Sequence, residues 1–174
     1  MANNKQPIAK KSRYLGISPA VMGYGNKKST RNPGGNKRKK VSEYGMQLKE
    51  KQKLKFIYGV LETQIEHYFE IASKMEGKTG DNLITCLETR LDSVVYRLGR
   101  ALTRREARQL VVHSHYTVNG KKVNIPSYLV KVGDVIAIKE ESKSSEKIKN
   151  VIEITASRIV PKWLDLDNNT LTGK

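Results

Sequence analysis

Apolar side chains recur every three or four residues along three stretches in the first half of the chain, which is the pattern of amphipathic helices. The stretches run from Ser42 to Gly59, from Glu62 to Lys74 and from Asp81 to Gly99. Ser42 and Asp81 suit the N-cap of a helix, and glycine favours a helix end. The pattern predicts three helices whose apolar faces build a core.

A fourth helix is predicted by the T-x-x-E spacing of a capping box at Thr103 and Glu106. The helix should begin at Arg104, with its apolar residues on one face. The polar residues that point away from this face are Arg104, Arg105, Arg108 and Gln109. This helix therefore combines a packing face with a basic face.

The spacing of the apolar residues changes directly after the basic helix. Residues 116–118 alternate in the manner of a strand, and Asn119-Gly120 supplies the two positive φ values of a type I′ hairpin turn. Lys121 and Lys122 follow the turn and are expected near the basic helix. Residues 135–138 form a short apolar run that predicts a buried strand. Helices and strands together predict an α+β fold.

The last part of the chain gives a weaker pattern. Residues 140–146 are charged and rich in serine, which favours a linker. Residues 147–155 favour a helix, although their β-branched side chains also suit a strand. The apolar residues at 163–166 are expected to dock on the helices, and the polar residues from 168 onward carry no strand or helix signal.

The net charge of the chain indicates a polyanionic partner. The 174 residues include 33 Lys plus Arg against 17 Asp plus Glu, a net charge of +16 that exceeds what solubility requires. Nucleic acid is the first candidate for the polyanion that this charge would meet. A membrane surface also attracts positive charge, but no apolar run approaches the length of a spanning helix.

Residues 1–42 carry eleven basic side chains and no acidic one. Their Gly, Asn, Ser and Pro content, without apolar periodicity, predicts an extended arm that becomes ordered on phosphates. A disordered tail that serves solubility alone is the alternative. The arm residues predicted to contact RNA are Arg31, Lys37, Arg38, Lys39 and Lys40.

Catalytic and metal-binding functions find little support in the residues. The G-x-G-x-x-G, P-loop, H-E-x-x-H and G-x-S-x-G motifs are absent, which predicts a protein that is not an enzyme. The single cysteine, Cys86, lies among leucine and isoleucine, which indicates a core thiol in a reducing, intracellular compartment. His113 and His115 are two residues apart and share no helix face, so neither a metal nor a cofactor is predicted.

The basic helix admits two interpretations. Gly99 begins a short connection between two helices, as in a helix-turn-helix that reads the major groove of DNA. The hairpin directly behind the second helix instead makes the positive surface a ledge of helix and strand, which suits the phosphate backbone of folded RNA. A free-standing nucleic-acid regulator is the alternative to a component of a large RNA assembly.

The stretch from Leu87 to Ile136 carries a set of motifs found together in one RNA-binding module. They are Arg90-Leu91-Asp92, Val95-Tyr96-Arg97-Leu98-Gly99, Arg104-Arg105-x-Ala107-Arg108-Gln109-Leu110-Val111, Val118-Asn119-Gly120, Ile125-Pro126-Ser127-Tyr128 and Gly133-Asp134. The stretch resembles the module named after small-subunit ribosomal protein S-four. The flanks resemble the helical domain of the bacterial S-four family, through Ser42-Glu43-Tyr44-Gly45, Leu48-x-Glu50-Lys51-Gln52-Lys53-Leu54 and Ile57-Tyr58-Gly59.

The resemblance implies an architecture of four parts. These are a basic extended N-terminal arm at 1–42, the first part of a helical domain at 43–86, the S-four-type RNA-binding module at 87–142 and a return to the helical domain at 143–174. Within the module, helices are expected to pack on a small sheet of five antiparallel strands.

The resemblance also implies a function and partners. Members of the family are structural components of the small ribosomal subunit in the cytoplasm, where they bind small-subunit ribosomal RNA first and nucleate assembly of the subunit body. Neighbouring ribosomal proteins and messenger RNA near the entry channel are the further partners implied, with a contribution to translational accuracy. No membrane partner is expected.

The RNA face implied by the family combines the basic helix with residues before and after it. Its expected members are Arg90, Arg97, Arg104, Arg105, Arg108, Gln109, His113 and His115, extended by Lys51 and Lys53 and joined by Lys121 and Lys122. Ser114 stands where the family has glycine, which requires a conformation that suits glycine. Residues 33–37 also replace the usual Pro-Gly-Gln-His-Gly element. The arm lacks the four cysteines through which some members bind zinc, so zinc is not expected.

Overall fold

The computed structural model describes residues 6–25, 42–167 and 171–174. The chain divides between His67 and Tyr68 into two compact units. The helices are α1 (Ile8–Leu15), α2 (Glu43–Tyr58), α3 (Glu62–Lys74), α4 (Thr79–Glu88), α5 (Leu91–Arg97), α6 (Arg104–Val112), α7 (Glu140–Lys143) and α8 (Glu146–Thr155), with a 3-10 helix at Pro19–Met22. Among the described residues, no helix is both long enough and apolar enough to cross a lipid bilayer.

The first unit has a small apolar core. Leu15 and Met22 are buried together with Phe56 of α2. Residues 8–15 were expected to belong to an extended arm, and they form a helix instead because Leu15 finds this apolar partner. The predicted arm contacts at 31 and 37–40 lie outside the described residues.

The predicted helix caps of α2 are confirmed. The Ser42 hydroxyl accepts a hydrogen bond from the Gly45 N–H at 3.2 Å, which satisfies one of the donors that a helix start leaves open. Gly59 ends the helix with a φ of 66°, a left-handed conformation that glycine adopts without a steric cost.

The single helix expected from Asp81 to Gly99 is two helices, α4 and α5. Arg90 separates them with an extended backbone and pairs with Leu129 in an isolated antiparallel bridge. The Leu91 N–H donates to the Tyr128 carbonyl at 2.8 Å, and the Val130 N–H donates to the Thr89 carbonyl at 2.9 Å. These long-range hydrogen bonds replace helical hydrogen bonds at the break. The spacing of apolar residues in the sequence continues across the break, so the sequence does not predict it.

The second unit contains an antiparallel sheet of five strands, in agreement with the expected α+β class. The strands are β1 (Tyr116–Val118), β2 (Lys121–Lys122), β3 (Ile136–Ile138), β4 (Leu166–Asp167) and β5 (Thr172–Gly173), in the order β2-β1-β3-β5-β4. The β1–β2 hairpin turns at Asn119 and Gly120, which have φ values of 50° and 75°, as predicted. The sheet packs with α5, α6 and α8 around one apolar core.

The C-terminal part of the chain is more ordered than its sequence indicates. Residues 140–143 form the short helix α7 where a linker was expected, and α8 confirms the weak helix prediction. The last described residues supply β5, although no strand signal was recognised after 168. Leu164 and Leu166 pack on the core as expected, whereas Trp163 is 53% exposed.

Candidate nucleic-acid interface

Helix α6 has the capping box that its sequence predicts. The Thr103 hydroxyl accepts a hydrogen bond from the Glu106 N–H at 3.1 Å. The Glu106 carboxylate reaches back to accept from the Leu102 N–H at 2.8 Å, one residue before the cap. Leu110 and Val111 are buried as predicted, and Arg105 and Gln109 are exposed. Arg104 and Arg108, which were expected on the same outward face, are instead largely buried, because carboxylates of neighbouring segments pair with them.

Three polar side chains lie along the solvent face of α6. Arg105, Gln109 and His113 are exposed and follow one another at intervals of four residues, which places them on one side of the helix. We call these three residues the outer strip. Lys121 and Lys122, which form the outermost strand of the same unit, are also exposed. Five of the predicted RNA-binding residues are thus accessible to a large ligand.

Arg90 lies in the interior of the second unit, although it was expected to be accessible on the RNA face together with Arg97. Its Nε and Nη2 donate to the two carboxylate oxygens of Asp92 at 3.0 and 2.6 Å, and its Nη1 donates to the Tyr68 hydroxyl at 2.9 Å. Burial opposes the charge, but the Asp92 bonds hold the pKa of Arg90 above its usual value. The expected exposure is wrong because these partners satisfy the guanidinium internally.

Arg108 approaches the same carboxylate from α6. Its Nη1 lies 3.6 Å from an Asp92 oxygen, and the side chain is 12% exposed. Burial lowers the pKa of Arg108, while the charge of Asp92 opposes that shift. Two arginines therefore share one buried carboxylate, and this group ties α5 to α6.

A second carboxylate, Glu88 at the end of α4, also holds two arginines. It accepts from Nε and Nη2 of Arg97 at 3.0 and 2.5 Å and from Nη2 of Arg104 at 3.4 Å. The Arg104 guanidinium also donates to the Ser93 hydroxyl at 3.1 Å and stacks 4.8 Å from the Tyr96 ring centre. We call Glu88, Arg97 and Arg104 the Glu88 cluster. Only its Arg97 is substantially exposed, at 39% against 8% for Arg104.

The two histidines lie at the C-terminal end of α6. His113 is exposed, while His115 Nδ1 is 2.9 Å from the Ser142 hydroxyl and its ring stacks near that of His113. Burial, with the nearby His113, Lys147 and Lys139, lowers the pKa of His115. His115 is therefore neutral at neutral pH and acts as a hydrogen-bonding group. No group of three metal-ligating side chains occurs within the described ranges.

Ser114 adopts the conformation that the family pattern requires of glycine. Its φ is 60°, in the left-handed region. The Ser114 N–H donates to the Val111 carbonyl and the His115 N–H donates to the Leu110 carbonyl, at 2.9 and 3.1 Å. These bonds close the end of α6, as a glycine would in the same position.

Lys51 and Lys53 lie in the first unit and are both engaged in ion pairs. Lys51 contacts Glu62, which also pairs with Lys55 at 2.8 Å. Lys53 contacts Glu50 at 2.5 Å. Lys51 and Lys55 lower the pKa of Glu62 to about 2, mainly through the hydrogen bond from Lys51. Lys51 and Lys53 remain partly exposed, although each already has a carboxylate partner.

Arg158 supports the backbone next to the basic helix, a role that the sequence did not predict. It follows α8, and its guanidinium donates to the carbonyls of Tyr96, Ala101 and Leu102 at 3.0–3.2 Å. The first of these carbonyls lies in the last turn of α5, and the other two lie in the connection between α5 and α6. A lone arginine far from this connection in sequence gives no local signal, so only the tertiary structure shows that it fixes the basic helix.

The hairpin is fixed by a polar contact as well. Asn119 donates to the Asp134 carboxylate at 2.8 Å and accepts from the Val135 N–H at 2.9 Å. Asp134 also accepts from the Lys131 N–H at 2.8 Å, and this bond lowers its pKa. The turn that carries Lys121 and Lys122 is thereby held against the loop before β3.

Comparison with known families and proteins gives matches over the whole chain. Residues 3–88 match the ribosomal protein S4/S9 N-terminal domain, and residues 89–136 match the S4 domain. A protein of Agathobacter rectalis is 57% identical over 173 residues, which cover 99% of this chain and 87% of that protein. A relative from Lachnospira eligens is 54% identical over 173 residues, which cover 99% of this chain and 87% of that protein. A relative from Caldicellulosiruptor saccharolyticus is 62% identical over 140 residues, which cover 80% of this chain and 67% of that protein. Each relative is named small ribosomal subunit protein uS4.

Proposed function

Because the chain belongs to the family of small ribosomal subunit protein uS4, we propose that it is a structural constituent of the small ribosomal subunit that binds the ribosomal RNA of that subunit. The family is one of non-enzymatic proteins, in agreement with the motif analysis. Such a protein is located in the cytoplasmic ribosome.

The observation that carries the proposal is the outer strip of α6 together with the lysines of β2. An exposed guanidinium and two exposed ammonium groups suit phosphate oxygens. Gln109 and His113 add hydrogen-bonding groups within the same surface. This composition favours recognition of RNA shape and backbone over the reading of base edges.

The arginines that pair with buried carboxylates support the same surface from behind. Arg90, Arg104 and Arg108, which are largely buried, and the partly exposed Arg97 share the two carboxylates of Glu88 and Asp92. The group keeps an excess of positive charge under α6, which strengthens the field at the surface. In this proposal Arg90, Arg104 and Arg108 act from the interior, while Arg97 and Arg105 meet phosphate.

The finer parts of the role rest on the family resemblance. We propose that the protein binds small-subunit ribosomal RNA early, nucleates assembly of the subunit body and contacts neighbouring ribosomal proteins. Proximity to messenger RNA at the entry channel and an effect on translational accuracy belong to the same proposal. The arm residues at 31 and 37–40, with Lys51 and Lys53, extend the RNA surface.

Sucrose-gradient sedimentation of a native lysate tests the ribosomal assignment. The protein should sediment with the small subunit and remain there after a high-salt wash, because many phosphate contacts form in an assembled subunit. Sedimentation at the top of the gradient, or release by modest salt, would contradict the proposal and favour a free-standing RNA-binding regulator.

A charge-matched pair of variants tests the surface itself. Arg105→Ala with Lys121→Ala and Lys122→Ala removes three charges from the proposed face. Lys74→Ala with Lys78→Ala and Lys149→Ala removes three exposed charges elsewhere. Only the first variant should bind ribosomal RNA more weakly, with a shallower dependence of affinity on salt. Equal losses in both variants would show that net charge alone matters.

A further inference from the structure

Glu88 places a negative charge directly behind the proposed RNA surface. Its side chain is 14% exposed and lies between the guanidinium groups of Arg97 and Arg104. The three side chains together carry a net charge of +1 when Glu88 is ionised. A carboxylate at this place weakens the attraction for phosphate, and the need of the buried Arg104 for a counter-charge does not account for its two bonds to Arg97.

The geometry of Arg97 indicates a further role for Glu88. A guanidinium is planar and carries five N–H donors, and one edge of the Arg97 group, formed by Nε and Nη2, meets the two oxygens of Glu88. Two parallel hydrogen bonds fix both the position and the plane of the group. Because Arg97 is 39% exposed, the fixed group also reaches the surface.

Arg104 anchors the carboxylate from the other side. It is 8% exposed, donates to Glu88 and Ser93, and stacks on the Tyr96 ring. Glu88 is therefore held by a buried arginine of α6 while it holds a half-exposed arginine of α5. The Glu88 cluster has a rigid inner side and an accessible outer side.

We propose that Glu88 is a positioning residue for RNA binding, which orients the Arg97 guanidinium toward a backbone phosphate before the RNA arrives. Orientation in advance reduces the side-chain entropy that Arg97 loses on binding, and the affinity rises accordingly. This inference rests on the proposed function, since it requires RNA at the α5–α6 surface.

Substitution of Glu88 by glutamine separates positioning from charge, because the two effects have opposite signs. Glu88→Gln removes a negative charge and raises the net charge of the cluster to +2, so electrostatics alone predicts tighter RNA binding. Glutamine offers one acceptor in place of two, so the parallel pair of bonds to Arg97 is lost. Positioning therefore predicts weaker binding.

The measurement is fluorescence anisotropy of the full chain with a transcript of the small-subunit ribosomal RNA of Agathobacter rectalis, over a series of salt concentrations. We expect Glu88→Gln to weaken binding about fivefold and to leave the salt slope unchanged, because Arg97 still contacts the phosphate once it has been ordered. Stoichiometric titration gives the active fraction and corrects for any loss of folded protein. Equal or tighter binding would overturn the inference.

Two further variants complete the experiment. In an Arg97→Ala background Glu88→Gln should cause no additional weakening, and a full additional loss would show that Glu88 acts elsewhere. Glu153→Gln on α8, which removes an exposed carboxylate, is the control for charge and should leave binding unchanged or slightly tighter. If Glu88→Gln does not fold, Glu88→Asp keeps the charge and shortens the reach, and it should still bind more weakly. Undiminished binding by Glu88→Asp would equally overturn the inference.

The failure of the proposed function gives a different result. Wild-type protein would then bind the transcript no better than an unrelated RNA hairpin of similar length, and the positioning role would fall with it. The proposed function holds if wild-type protein prefers the transcript to the unrelated hairpin and the variant with alanine at 105, 121 and 122 binds the transcript weakly. In that case, undiminished binding by Glu88→Gln overturns the positioning role alone.

Discussion

Arg158 and Tyr96 contact each other twice. The guanidinium carbon lies 4.7 Å from the ring centre, and Nη1 donates to the Tyr96 backbone carbonyl at 3.1 Å. The opposite arginine, Arg104, also stacks on this ring at 4.8 Å. The aromatic ring of Tyr96 in α5 thus joins Arg158, three residues beyond the end of α8, to the first residue of the basic helix.

Replacement of Arg158 by alanine should lower the free energy of unfolding by about 2–3 kcal/mol, because three carbonyls lose a charged donor and the ring loses a cation–π partner. Urea titration followed by circular dichroism measures the change. Arg105→Ala, which removes an exposed arginine from the same unit, should change stability by less than about 0.5 kcal/mol. Similar losses for both variants would contradict the role given to Arg158.

Replacement of Ser114 by glycine should raise the stability. The residue has a φ of 60°, where a side chain costs about 1 kcal/mol relative to glycine. The matched control is Ser144→Gly, because Ser144 ends α7 with a φ of −72°, where glycine brings only added backbone freedom in the unfolded chain. Thermal melts should show a higher midpoint for Ser114→Gly and an equal or lower midpoint for Ser144→Gly. A lower midpoint for Ser114→Gly would refute the strain.

Glu62 should titrate near pH 2, well below an ordinary glutamate, because Lys51 and Lys55 bond to its carboxylate. Its folded pKa is depressed, so its contribution to stability is complete above pH 4.5 and is lost as the pH falls toward 2. Carbon-13 NMR of the carboxyl group measures this pKa directly. Lys51→Gln should raise the pKa of Glu62, whereas Lys53→Gln should leave it in place. A wild-type pKa of 4 or more would exclude these ion pairs in solution.

Replacement of Gly173 by alanine should destabilise the sheet. A Cβ at this position would lie 2.5 Å from Leu98 Cδ1, and Leu98 is only 2% exposed and cannot move aside without disturbing the core. Overpacking of this kind costs about 1–3 kcal/mol. Gly80→Ala in α4 is the control, since a Cβ there meets no atom within 4 Å and alanine favours a helix. Denaturant titration should show a lower unfolding midpoint for Gly173→Ala and no decrease for Gly80→Ala.

The features that the sequence predicts correctly are those set by neighbouring residues. The capping box of Thr103 and Glu106 and the turn at Asn119 and Gly120 depend on local hydrogen bonds and backbone preferences, so a short window contains the necessary information. The left-handed conformation expected of Ser114 belongs to the same class.

The features that escape prediction depend on distant partners. Arg90 is a charged residue between two helical segments, and its burial follows only from Asp92, Tyr68 and the bridge to Leu129. Strands β4 and β5 have two residues each, too few for a period to show. Helix α1 lies in a segment whose composition favours disorder, yet Leu15 buries there. The predicted division at 42, 86 and 142 stays a prediction.

The outermost strand of the sheet carries a consequence for the free protein in solution. The exposed edge of a sheet can add a strand from another molecule, with neighbouring strands about 4.8 Å apart. β2 consists of Lys121 and Lys122, both exposed, so pairing of two such edges would crowd four ammonium groups together without counter-charges. The same lysines that are proposed to meet RNA phosphates therefore oppose the pairing of β2 with β2 of another copy for as long as nucleic acid is absent.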